Sequence, residues 1–250
     1  MKNLFKFLTF IFILFIFSNC NREEIDGFLT IKMKHTFNGD PLIIGNELIY
    51  SDSAGGEYSI QKLEYLLDGK YIMGGTKYID AGNTETFLLD HSLVFCCGGT
   101  GVSFHSSGFR FGISNDYNIN NAYATENFHE KMSRPEEEGG GYYYMILEGK
   151  YRPFSSSIIY PFSIKTRPVE SIDYSFSKHF ELCGEGNYLE VENENPNGII
   201  TFNMEIMNWF QNPHTLNLES LIIEDVETQR QIMWNGIEDV FSVSVNHCKH

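Results

Sequence analysis

Residues 28–37 alternate without a break: Leu29, Ile31, Met33, His35 and Phe37 fall on one face, Thr30, Lys32, Lys34 and Thr36 on the other. A period of two predicts a strand with one buried face, and it sets His35 among apolar neighbours. Asn38-Gly39-Asp40-Pro41 is turn chemistry, and 42–50 resumes an extended pattern. After a loop at 51–57, residues 58–68 and 70–73 flank Asp68-Gly69, a dipeptide suited to a two-residue hairpin. Further strands are predicted over 88–95, 109–113, 142–151, 158–166, 173–182 and 188–191. Asn193 to Gly198 is a strong turn signal, after which Ile200, Phe202, Met204 and Ile206 alternate with Thr201, Asn203 and Glu205. Phe241, Val243 and Val245 alternate in the same way. Residues 126–132 suit one helical turn, and neither a long amphipathic helix nor a repeat stands out. The pattern predicts an all-β chain, an antiparallel β-sandwich with few or no helices beyond a signal peptide.

One stretch departs from this rhythm. Glu136-Glu137-Glu138 leads into Gly139-Gly140-Gly141, then into Tyr142-Tyr143-Tyr144 and an apolar run that Gly149 closes. Consecutive glycines lose the most backbone freedom on ordering, so they belong where the chain turns sharply or passes close to something. Two readings stand: a surface loop that merely enters a core strand, and a loop that lines a binding site.

The N-terminus suggests a cellular address. Lys2 and Lys6 precede an apolar run over 7–17 broken only by Thr9, too short for a spanning helix and right for a signal peptide. Phe17-Ser18-Asn19-Cys20 at its end looks like a lipoprotein signal, with Cys20 as the acylated residue. A plain secretory signal with a free Cys20 is the alternative. The expected organisation is a lipoprotein signal peptide at 1–19, a lipidated tether at 20–27 and one β-sandwich domain at 28–250. The membrane partner is then reached through the lipid alone, and the address is the cell envelope: an outer-membrane lipoprotein, periplasmic or surface-exposed.

Charge narrows the partners. The formal net charge is −15, and loss of Lys2 and Lys6 with the signal peptide takes it to −17. So acidic a chain is not expected to bind nucleic acid, where affinity comes mainly from lysine and arginine on phosphate. Of five cysteines, lipidation of Cys20 leaves Cys96, Cys97, Cys183 and Cys248 in an oxidising compartment. Adjacent cysteines bond to each other only with strain, so Cys96 and Cys97 are each expected to reach Cys183 or Cys248. A single bridge with two free thiols is the other arrangement.

Candidate chemistry is sparse. His247-Cys248-Lys249-His250 gathers two imidazoles and a thiol in a short tail, a soft-ligand set suited to Cu(I) or Zn(II); a terminus whose Cys248 is in a disulfide is the competing reading. His35 is a second candidate ligand, against a hydrogen-bonded core histidine. Cys96-Cys97 with His105 lacks zinc-type spacing. Ser103-Phe104-His105-Ser106 lacks a nucleophile elbow and a partnered acid, and no phosphate-cradling glycine motif is present. The three glutamates read as a solvated face. Trp209 and Trp234 read as core.

Taken in order, several segments resemble the MbnP-like family, copper-associated domains common among Bacteroidota lipoproteins. They are 35–42 (HTFNGDPL), 58–66 (YSIQKLEYL), 77–80 (KYID), 109–113 (FRFGI), the 139–149 stretch, 204–213 (MEIMNWFQNP), 232–233 (IM) and 239–242 (DVFS). The resemblance implies a β-sandwich and, for some members, a copper site of histidines and an oxidised tryptophan. This chain departs from the family at the ligand positions: Tyr143 and the 160–163 segment stand where histidines are common, Met132-Ser133-Arg134-Pro135 where Met-x-Trp is common, and Lys77 where a histidine is frequent. Phenol and ammonium groups are poor or useless replacements for imidazole. The expectation is a non-enzymatic, lipid-anchored envelope binding module with copper as the implied metal. The alternative is a metal-independent surface lipoprotein that binds an envelope protein or a glycan through its Gly/Asn-rich loops.

Overall fold

The structure, a computed structural model, describes residues 25–69, 75–82, 85–95, 101–192, 195–219 and 225–249. Strands run in chain order as β1 (Ile25–Phe37), β2 (Asp40–Pro41), β3 (Tyr50–Ser51), β4 (Glu57–Asp68), β5 (Thr76–Asp80), β6 (Glu85–Phe95), β7 (Gly101–Phe104) and β8 (Ser106–Phe111). A helical turn, α1 (His129–Met132), precedes β9 (Met145–Arg152), β10 (Tyr160–Thr166), β11 (Phe176–Glu181), β12 (Leu189–Glu192) and β13 (Asn197–Glu205). The chain closes with α2 (Asn208–Gln211), α3 (Val226–Asn235), a π-helical turn at Gly236–Val240, and β14 (Phe241–Val245).

The alternation in β1 governs the first sheet. Leu29, Ile31, Met33, His35 and Phe37 are all buried, while Lys32 and Lys34 reach partly into solvent. The sheet has the order β14-β13-β1-β2, with β6 also on β1. The second sheet has the order β10-β9-β4-β8-β11, with β3 and β5 on β4, and a small third sheet joins β7 to β12. Both larger sheets turn apolar faces inward, giving the expected all-β, sandwich-like architecture. Aromatic contacts join the faces: Phe109 meets Phe202 at a centroid distance of 5.1 Å and Phe111 meets Phe241 at 5.7 Å, while Trp209 of α2 packs on Phe111 at 5.2 Å.

Three details differ from the sequence expectation. The β1–β13 pair is parallel, with Phe28 opposite Asn197 and Thr36 opposite Glu205, whereas the other named strand pairs are antiparallel. Parallel partners need a long crossover, and the whole second sheet lies in the chain between these two. The predicted two-residue hairpin at Asp68-Gly69 is replaced by a longer connection: Asp68 pairs with Thr76 of β5, and 70–73 lie outside the described residues. A ten-residue helix, α3, stands where none was predicted, N-capped by Asp225, whose carboxylate accepts from the Thr228 amide at 3.0 Å. No helix among the described residues is long and apolar enough to cross a membrane.

Candidate functional site

The Gly139–Gly141 stretch is built into the fold more firmly than a surface loop would be. All three glycines have positive φ, at 95°, 65° and 74°. That conformation lets the chain double back, so that Arg134 N–H donates to the Gly141 carbonyl (2.9 Å) and Tyr143 N–H to the Met132 carbonyl (2.8 Å). Opposite lies the Asn-rich segment. The Asn118 side chain mimics a strand partner: its Oδ1 accepts from Tyr142 N–H at 2.6 Å and its Nδ2 donates to the Tyr142 carbonyl at 3.0 Å. Asn120 Oδ1 accepts from Gly141 N–H at 2.6 Å. A Cβ at position 140 would lie 2.1 Å from Asn120 Oδ1, and one at 141 would lie 2.6 Å from Asn118 Oδ1. Only glycine admits these approaches.

The three tyrosines then anchor the loop. Tyr142 Oη lies 2.9 Å from His129 Nδ1 and accepts from Tyr123 N–H at 3.0 Å. Tyr144 donates to Asp173 at 2.8 Å, and burial with that carboxylate raises its pKa. Tyr143 donates to Glu138 Oε2 at 2.6 Å, and burial, then that bond, pushes its hydroxyl up to about 12. The Tyr143 and Tyr144 phenols are structural hydrogen-bond donors, held in the neutral form across the ordinary pH range.

Between the two loops opens a cavity of about 410 Å³. Its wall includes Asn115, Asn118, Gly140, Glu138 and two guanidinium groups, Arg134 and Arg167. Arg167 is 7 % exposed and its Nη1 pairs with Glu138 Oε2 at 2.5 Å. Arg134 is half-buried; its Nη2 donates to the Glu138 carbonyl oxygen, and its Nε is buried without a hydrogen-bond partner. Burial first, and then the neighbouring Arg167 cation, hold Arg134 below the usual arginine range. Such a site can recognise a polar or charged ligand. Among the described groups in its wall there is no hydroxyl or thiol nucleophile paired with a base.

The candidate metal ligands are scattered. His35 is fully buried in the core, its Nε2 2.7 Å from the Tyr65 hydroxyl and its Nδ1 without a partner. His247 follows β14 beyond the far end of the same sheet, and its Nε2 lies 2.7 Å from the Glu190 carbonyl oxygen. Cys248 bonds to Cys183, which removes its thiol and replaces the expected pairing of Cys183 and Cys248 with Cys96 or Cys97. Cys20, Cys96, Cys97 and His250 lie outside the described residues. Among the described residues no three His, Cys, Asp or Glu side chains gather as a metal-binding set. Trp209 packs in the core as expected, whereas Trp234 is 43 % exposed.

Glu138 belongs to the cavity wall rather than to a merely solvated acidic face. The residues sequence reasoning passed over are Arg134 and Arg167. The one signal for Arg134 was its place in the loop that leads to the glycines, and Arg167, the residue after the predicted 158–166 strand, gave none. In comparisons with known proteins, no family model, no curated protein and no solved structure matches the chain, so the resemblance to MbnP-like domains rests on the segments quoted above.

Proposed function

We propose that the chain is a non-enzymatic, lipid-anchored binding module of the cell envelope, holding its ligand in the cavity between the Asn-rich and Gly139–Gly141 loops. The observation that carries this is the construction of the cavity: three left-handed glycines and two asparagine amides fix the backbone around paired guanidiniums. Backbone that glycine alone allows there, pinned by side-chain amides, holds the cavity wall in one shape ahead of binding. The anchor is Cys20, on the strength of the signal-peptide layout.

Copper, which the family resemblance implies, does not fit the donors present. One imidazole is engaged in the core, another on a backbone carbonyl, and the only described thiol of the tail is in a disulfide. A copper site of the MbnP-like kind needs several imidazoles on one centre.

Two measurements test this reading. Metal analysis of the purified protein after copper exposure and dialysis is expected to find no stoichiometric copper, and retention lost on His247→Ala would restore the metal reading. A thermal-shift screen of neutral and charged sugars and short peptides is expected to find a ligand whose effect disappears in Gly140→Ala. If every hit acts equally on that variant, the cavity is not the site.

A further inference from the structure

The cavity's charge arrangement says more about what enters it, granted the reading of that cavity as the binding site. We propose that its ligand presents a single carboxylate, gripped by the Arg134 guanidinium with Arg167 behind it.

Four charged side chains line the space: Arg134, Arg167, Glu138 and Glu170. They are not equivalent. Glu138 is committed to Arg167 through Nη1 at 2.5 Å, and the same carboxylate oxygen accepts the Tyr143 hydroxyl at 2.6 Å. Glu170 is exposed at the rim, on a residue with φ of 50°. Arg134 has no carboxylate within ion-pairing distance among the described residues, and the one hydrogen bond its side chain makes goes to a backbone oxygen. It is thus a half-buried cation, next to a second cation, with Nε already sealed from water and unpartnered. Both burial and the neighbouring guanidinium act against its charge. A bound anion reverses both effects at once, because it replaces lost hydration and screens the two cations from each other.

The same inventory sets the anion's class. Guanidinium presents a planar fork that matches the two oxygens of a carboxylate. Glu138 and Glu170 in the same wall repel a second negative charge, which disfavours phosphate dianion and sulfate relative to one carboxylate. About 410 Å³ suits a molecule of monosaccharide or dipeptide size rather than a folded partner. The amide and backbone groups of Asn115, Asn118 and Gly140 make a polar wall, fit for hydroxyls or amides on the rest of the ligand.

The test uses the ¹⁵N-labelled protein, with NMR following the Gly139–Gly141 amides and the Arg134 Nε–H. The probes are acetate, galacturonate, N-acetylglutamine, galactose, inorganic phosphate and sulfate, all at one ionic strength. Saturable shifts from the carboxylates, weakened about tenfold or more in Arg134→Gln and partly kept in Arg134→Lys, are the expected result. Arg134 is half-exposed on a loop, so both variants are expected to fold, checked by an unchanged melting temperature. Galactose shifting the cavity amides equally in wild type and Arg134→Gln would overturn the carboxylate claim while leaving the cavity a binding site. Phosphate or sulfate outcompeting every carboxylate would also overturn it. Silence from all six probes would overturn this claim, and the separate screen against Gly140→Ala then decides whether the cavity reading falls with it.

Discussion

The buried pair His35–Tyr65 makes the sharpest prediction about stability. His35 sits at the centre of the sandwich, and burial lowers its pKa from 6.5 to about 4. In the unfolded chain the imidazole takes up a proton near 6.5; in the folded protein it resists until about pH 4. Between those values the unfolded state binds more protons, so stability is full above about 6.5 and falls as pH drops toward 4. Over that window the gap is worth about 3 kcal/mol, at roughly 1.36 kcal/mol per pH unit. Against a total stability of about 5–15 kcal/mol that is a large share. Below pH 4 this contribution changes no further.

The perturbation is His35→Gln, which removes the titration but keeps a polar side chain. Urea denaturation of both proteins at pH 7, 5.5 and 4 gives two stability curves, and carboxylate titrations common to both cancel in the difference. The wild type is expected to lose about 3 kcal/mol more than the variant over this range. Tyr65→Phe supplies the second arm. It strips the partner from Nε2 at 2.7 Å and is expected to cost about 1–3 kcal/mol at pH 7, much of it absent when His35 is already replaced. Parallel pH curves for wild type and His35→Gln would refute the argument, as would an imidazole that titrates near 6.5 in the folded state.

Other expectations follow from particular contacts. Cys183→Ser, or reduction, opens a loop of sequence separation 65 and is expected to lower stability by about 4 kcal/mol on the chain-entropy estimate, seen as a fall in melting temperature under reductant. An unchanged melting curve would mean the bond is not formed. Asn235→Leu removes an amide that donates to the Trp209 and His214 carbonyls at 3.0 and 2.8 Å and accepts from His214 N–H at 2.8 Å, so a loss of about 2–3 kcal/mol is expected in urea titration. Gly140→Ala meets both a positive φ and a close amide, and is expected to cost at least about 1 kcal/mol while shifting the NMR signals of Asn118 and Asn120. If Ala is tolerated silently there, the two loops are not joined as described.

What the sequence made legible was set by periodicity. β1, β13 and β14 each bury one face and expose the other, so alternation alone located them, and it placed His35 on the inner face. The helix α3 escaped because its inner face is formed by Gln229, Ile232 and Asn235. Two of these three are amides, hydrogen-bonded to carbonyls of Lys165, Trp209 and His214, so the apolar repeat that marks a helix is missing. The parallel β1–β13 pairing was equally hidden, because each strand carries its own alternation but nothing in it names a partner across some 160 residues.

The candidate site divides along the same line. Local backbone need writes itself into sequence: Gly139-Gly140-Gly141 is conspicuous because no other residue fits three successive left-handed positions. The ligand-facing groups are not local. Arg134 precedes the glycines in the chain, whereas Arg167 arrives from the end of β10 and Asn118 from a separate loop, and only the fold brings them to one wall. Charge composition pointed the other way, since a net −15 suggests a repulsive surface for anions. A net charge averages over the whole surface, where exposed pairs are screened within roughly 10 Å at ordinary salt. The cavity's own charges act at shorter range than that and in a lower dielectric; with Glu138 paired to Arg167 and Glu170 exposed at the rim, the field at Arg134 is set by these four groups rather than by the chain's total.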